Sequence, residues 1–206
     1  MYFFQELNVV SFERKLNESY KWKKILQITT ERPDNRDYDG IVVCIAGEFI
    51  ILAQEVDYVF DGYVIIPRNK IAYFEEREEQ EFSYQLLLDS GAIKRLNPEK
   101  WIAECRTYKD IFTHLLQTNR WLSVNWICPR CDEIHIDTAY LKDSDNQSLS
   151  VELYNRAGQS QGEMGWVVSK IFSIEFNSGY TDKFGYFLDK RKEQGVAKNN
   201  DGHSNS

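Results

Sequence analysis

The residues that first offer chemistry are two thiols and an imidazole in N-W-I-C-P-R-C-D-E-I-H-I-D, Asn125 to Asp137. Thiolates three positions apart on a tight turn fill two corners of a zinc tetrahedron, and His135 is spaced to supply a third. A complete set would draw its last ligand from Cys44, Cys105, His114 or a second subunit. A zinc ribbon carries two such pairs, however, and this chain has one. A strand over Glu133 to Leu141 also sets His135 beside Glu133 and Asp137 on a wet face, opposite Ile134 and Ile136. Thiol-disulfide chemistry needs the pair at a helix N-terminus, and here it lies between two strand patterns. The expectation is therefore a connection preset by Pro129, with no cofactor; Cys128, Cys131 and His135 stand only as zinc candidates.

Other constellations offer less. The three histidines are His114, His135 and His203, which fall on a helix pattern, a strand pattern and a polar tail, so no nucleophile and base pair is placed together. Glu75, Glu76, Glu78 and Glu79 read as the acidic start of a helix. Gly158 and Gly162 lack the strand-to-helix setting of a phosphate loop. The chain is expected not to be an enzyme. Binding is expected instead at the aromatic turn D-Y-V-F-D-G, through Asp57, Tyr58, Phe60 and Asp61, together with Trp166, since aromatic side chains on or beside strands can fill a partner's pocket.

These residues have to be positioned by strands. Aromatics make up 14% of the chain, and the run from Asp39 breaks into short β-branched and aromatic segments. Strands are predicted at Ile25 to Thr30, Ile41 to Ala46, Phe49 to Val56, Gly62 to Ile66 and Ile71 to Phe74. After Phe74 the spacing of Phe82, Leu86 and Leu87 predicts a helix that ends at Gly91. A second helix follows over Tyr108 to Thr118, with Thr107 as its N-cap and Asp110 three residues on. Five more strand patterns begin at Trp121, with Leu122, Val124 and Trp126 on one face. The two β regions also resemble one another. Lys70, Ile71, Phe74 and Glu75 recur as Lys170, Ile171, Ile174 and Glu175, and Gly62-Tyr63-Val64 aligns with Gly165-Trp166-Val167.

The pattern D-G-I-V-V from Asp39, E-F-I-I-L from Glu48, and D-G-Y-V-I-I-P-R-N-K-I from Asp61 resembles uncharacterised bacterial proteins with Sm-like or SH3-like small β-barrel segments. The stretch K-I-F-S-I-E-F-N-S-G-Y-T-D-K-F-G-Y-F-L, Lys170 to Leu188, resembles their closing strand and terminal helix. The resemblance implies a mainly β fold with a helical connector: two small five-stranded barrels in tandem, each closed to hide its edges. The expected divisions are a barrel with a leading helix or turn at 1–75, a helical connector at 76–119, a second barrel with a terminal helix at 120–189 and a disordered tail at 190–206.

The formal net charge of -7 opposes nucleic acid and anionic membranes. The longest apolar run, Phe49 to Ala53, falls far short of a membrane span. Four cysteines without a disulfide spacing point to a reduced, cytoplasmic setting. The function expected is that of a non-enzymatic, cytoplasmic interaction protein that presents an acidic surface to a basic protein partner, in the manner of an immunity protein or inhibitor. The alternative is an Sm-like RNA-binding protein that uses a groove built from Lys21, Lys23, Lys24 and Arg68.

Overall fold

In the computed structural model, the described residues are 2–75, 78–118 and 121–200. Helix α1 (Tyr2–Trp22) leads into strands β1 (Ile25–Thr30), β2 (Asp37–Ile45), β3 (Phe49–Val56), β4 (Val59–Pro67) and β5 (Ile71–Glu75). Four helices follow: α2 (Glu78–Asp89), α3 (Ala92–Arg95), α4 (Lys100–Glu104) and α5 (Tyr108–Gln117). The second strand set is β6 (Trp121–Ile127), β7 (Ile134–Ser144), β8 (Ser148–Tyr154), β9 (Ser160–Val167) and β10 (Ile171–Phe176), and α6 (Gly179–Asn200) ends the order. Short 3-10 turns at Arg68–Lys70 and Val168–Lys170 join the last two strands of each set. Thr107 caps α5 as expected, in a reciprocal capping box with Asp110. Helix α6 continues through 190–200, part of the segment expected to be disordered. Residues 201–206 of that segment lie outside the described residues.

The two tandem barrels do not form. All ten strands make one antiparallel sheet in the order β5-β1-β2-β3-β4-β10-β6-β7-β8-β9, which is not closed into a barrel. The demand that motivated closure, an edge whose backbone groups need partners, is met differently. Strand β4 pairs with β10 of the other half, through Tyr63 with Phe176, Val64 with Glu175 and Ile65 with Ile174.

The halves nevertheless repeat each other. Within each, the first strand pairs with the second and fifth, and the third with the second and fourth. Even the irregularities recur: the ladder slips between Val42 and Cys44 in β2 and between Leu141 and Asp143 in β7. Register corrects one sequence match. Val64 stands opposite Leu52, and Met164 stands opposite Val151 in the same place, so the counterpart of Gly62 is Gly162 rather than Gly165. Both of these glycines have positive φ, +76° and +94°.

One apolar core spans the junction. Phe49, Ile51 and Ile65 from the first half meet Leu122, Val124, Leu141 and Val151 from the second, beneath Ile102, Ile111, Phe112 and Leu115 of α4 and α5. On the opposite face, Leu16 of α1 packs on Leu26, Ile28, Ile50, Leu52 and Val64. Strand β3 is thus buried on both faces over Phe49–Ala53, which is why its sequence is a continuous apolar run rather than an alternation. Polar groups tie the halves as well. The Tyr38 hydroxyl lies 2.6 Å from that of Ser173, and the Asn125 amide donates to both at 2.7 Å. Burial pushes the Tyr38 phenol up to about 12.

Candidate functional site

The hairpin joining β3 to β4 turns on two residues, Asp57 and Tyr58, with Val56 paired to Val59. A two-residue hairpin loop favours positive φ, which Asn-Gly adopts easily. Here Asp57 stands at +49° and Tyr58 at +64°, so a bulky side chain occupies a backbone conformation that disfavours it. The Tyr58 N–H donates to Glu55 Oε1 at 2.6 Å, which fixes the turn. The Tyr58 ring is 50% exposed and meets Phe82 of α2, 58% exposed, edge to face at 5.9 Å. Val59 beside them and Leu86 one helical turn beyond Phe82 are exposed too, so the patch is apolar and continuous across the hairpin and α2.

A notch of about 210 Å³ opens at its edge, lined by four carboxylates, Asp39, Glu55, Asp57 and Glu79, with Gln27 and Gln80. Asp39 is held by the Gln80 amide at 2.8 Å and by the Gln27 amide at 3.4 Å. Burial raises the Glu55 carboxyl above its ordinary range against the lowering effect of the Tyr58 N–H, and repulsion from Asp39 and Asp57 adds to the rise. A guanidinium or ammonium group in this notch would relieve that repulsion.

The remaining residues expected to bind serve the fold. Asp61 Oδ1 accepts the N–H of Gly179 at 2.6 Å, capping the N-terminus of α6 from the other half. Phe60 is half-buried against two apolar clusters. Trp166 is 2% exposed and packs on Trp126. Three of the four basic residues expected to line a groove are otherwise engaged: Lys23 donates to the Leu96 carbonyl, Lys21 lies over Trp22, and Arg68 pairs with Glu13, while Lys24 is exposed. Phe82 and Leu86, which complete the patch, entered the sequence reading only as spacing that predicts the helix. The helix forms as predicted, and of the three spacing residues Leu87 is buried, with Gln80 and Ser83, while Phe82 and Leu86 face outward.

The thiols and the imidazole do come together. Strand β7 directs His135 to the same face as Asp137, Ala139 and Leu141, and that face looks toward the core. The expected assignment is inverted, with Ile136 on the outward side and exposed. The His135 ring lies against Trp126, its partner across the ladder, whose indole N–H donates to Asp137 at 2.8 Å. His135 Nε2 is 3.6 Å from Cys131 Sγ, and the ligand atoms of Cys128, Cys131 and His135 all lie within 4.8 Å of one another. By contrast, Cys44 and Cys105 are buried in the core, and desolvation raises both thiols.

A cleft of about 540 Å³ collects equivalent loops of both halves, with Glu48, Arg68 and Asn69 from the first and Asn146, Gln147 and Ser169 from the second. Sequence gave no warning of it, because these residues meet only once β4 and β10 are paired. No protein family, curated protein or solved structure matches the chain. Among the described residues, no helix is long and apolar enough to cross a membrane.

Proposed function

We propose that this chain is a non-enzymatic interaction protein that binds a basic protein partner through the patch formed by Tyr58, Val59, Phe82 and Leu86 and the carboxylate notch beside it. The observation that carries the reading is Tyr58. A residue held at +64° with half its surface in water is costly to keep for folding alone. Its ring and that of Phe82 supply the apolar anchor of an interface. Asp39, Glu55, Asp57 and Glu79 supply the charge that steers and seats a lysine or arginine of the partner. An acidic inhibitor of a basic protein, of the immunity type, fits this chemistry.

The test is affinity capture from the source cell with wild type and with Phe82→Ala, quantified by mass spectrometry at low and high salt. A basic protein retained by wild type and lost both with Phe82→Ala and at high salt is the expected result. Equal capture by the two forms would overturn the reading.

A second reading, RNA binding, draws on the cleft between the halves, whose Asn69, Asn146, Gln147 and Ser169 side chains can hydrogen-bond base edges. It predicts RNA oligomer binding that falls steeply with salt and is lost in Asn146→Ala with Gln147→Ala. RNA affinity unchanged by that double substitution would contradict it.

A further inference from the structure

The Cys128–Glu133 connection has the geometry of a metal knuckle. Cys128 and Cys131 both lie in it, and His135 follows on the first residues of β7. Asp132 adopts a positive φ of 58°, folding the chain back so that the Asp132 N–H reaches the Cys128 carbonyl and the Cys128 N–H reaches that of Glu133, both at 2.9 Å, and this tight turn brings the two thiols together.

Distances favour a tetrahedral ion. With Zn–S near 2.3 Å and Zn–N near 2.0 Å, a tetrahedron has edges of roughly 3.5–3.8 Å. The Cys131–His135 edge already measures 3.6 Å, and the rest of the triad lies within 4.8 Å. Cys131 is exposed and the other two are half-buried, so an ion can enter from solvent. The counterpart connection, between β1 and β2, is tied differently. There the Thr30 hydroxyl donates to Asp34 at 2.6 Å and accepts the Arg36 N–H at 2.9 Å, and its sequence holds no thiol.

We propose that Cys128, Cys131 and His135 bind one zinc ion, with water in the fourth position, and that the ion clips this connection to the start of β7. Two thiolates and a neutral imidazole suit zinc over magnesium or calcium, which select oxygen. Binding Zn²⁺ releases the two thiol protons to solvent and leaves a site of zero net charge. Asp137, near Trp126 on the same face, fixes the indole that backs the imidazole.

The test uses the reduced full-length chain titrated with Co²⁺ and then Zn²⁺. One Co²⁺ per chain should bind, with thiolate-to-metal charge-transfer absorption and the intense visible bands of four-coordinate cobalt, and Zn²⁺ should abolish both. Cys128→Ser with Cys131→Ser should show no charge-transfer band. His135→Ala and His135→Gln, each checked for fold by circular dichroism, should bind Co²⁺ more weakly by at least the roughly 10–100-fold that outer-shell changes cost. Three results would overturn the proposal: no charge-transfer band in wild type, the same band in the double serine variant, or wild-type affinity in both His135 variants.

Discussion

The β3–β4 and β8–β9 connections occupy the same place in the two halves and are built on opposite lines. The second is a relaxed turn. Asn155 accepts the N–H groups of Ala157 and Gln159 at 3.0 Å on its side chain, and Gly158 takes the positive φ while Leu188 of α6 covers it. The first places Asp57 and Tyr58 where Asn and Gly would cost nothing, and leaves the ring in water beside Phe82. One frame, used twice, thus carries one connection relaxed by side-chain caps and a glycine and another that holds an exposed tyrosine at positive φ. The first-to-second-strand connections diverge in the same manner: hydroxyl and carboxylate bonds in one half, two thiols and an imidazole in the other. Loops on a rigid scaffold are where function concentrates, and a repeated scaffold makes the departures legible.

The largest expected effect breaks the frame itself. A Cβ at Gly62 would stand 2.6 Å from the Asn177 carbonyl oxygen and the Ser178 nitrogen, both backbone, whereas one at Gly162 meets nothing within 4 Å. Gly62→Ala should cost more than about 3 kcal/mol or prevent folding. Gly162→Ala should cost only the roughly 1–2 kcal/mol of its left-handed backbone. Urea denaturation of the two variants measures the difference, and equal losses would show that the halves do not meet at β4 and α6 as described.

Next comes the polar tie between halves. Tyr38→Phe removes the phenol from between Ser173 and Asn125, leaving those two bonded only to each other, and should cost about 1–3 kcal/mol at neutral pH. The phenol is raised to about 12 in the fold from its ordinary 10. Its stabilising contribution is therefore whole below pH 10 and is lost as pH rises toward 12, since the unfolded chain ionises first. Wild type should lose stability across that window more steeply than Tyr38→Phe, which equilibrium unfolding at stepped pH reads directly.

A smaller effect separates the two first-to-second-strand connections. Saturating zinc should raise the melting temperature of the reduced wild type by mass action and leave Cys128→Ser with Cys131→Ser unmoved. Without metal, the double variant should melt within a few degrees of wild type, because Cys131 is exposed and Cys128 half-buried.

Much of this frame was readable from residue types alone. The strands Ile25–Thr30 and Phe49–Val56 fall on the predicted residues, and Thr107 with Asp110 announces the start of α5. Apolar periodicity reports which side chains are buried, and says nothing of which edge meets which, so the pairing of β4 with β10 in place of barrel closure was not legible. The same blindness inverted His135. Ile134 and Ile136 imply an inward face by type, yet the core-facing residues of β7 are Ala139 and Leu141, and the bulky isoleucines near its start remain partly or largely exposed. Of the residues expected to bind, the surface position of Asp57 and Tyr58 was legible, because a turn between strands must be at the surface. The places of Asp61 and Trp166 were not legible, since a cap on a helix 118 positions away and a tryptophan packed inside the core leave no local mark.

The decisive measurement is on the hairpin. Replacing Asp57 and Tyr58 together, Asp57→Asn with Tyr58→Gly, gives the first half a turn as relaxed as that of the second. The variant should unfold at higher temperature or denaturant, by about 1 kcal/mol, and should lose at least tenfold in capture of the basic protein retained by wild type. A variant that gains stability and still captures that protein as wild type does would contradict the account, for the strain at Tyr58 would then serve no partner.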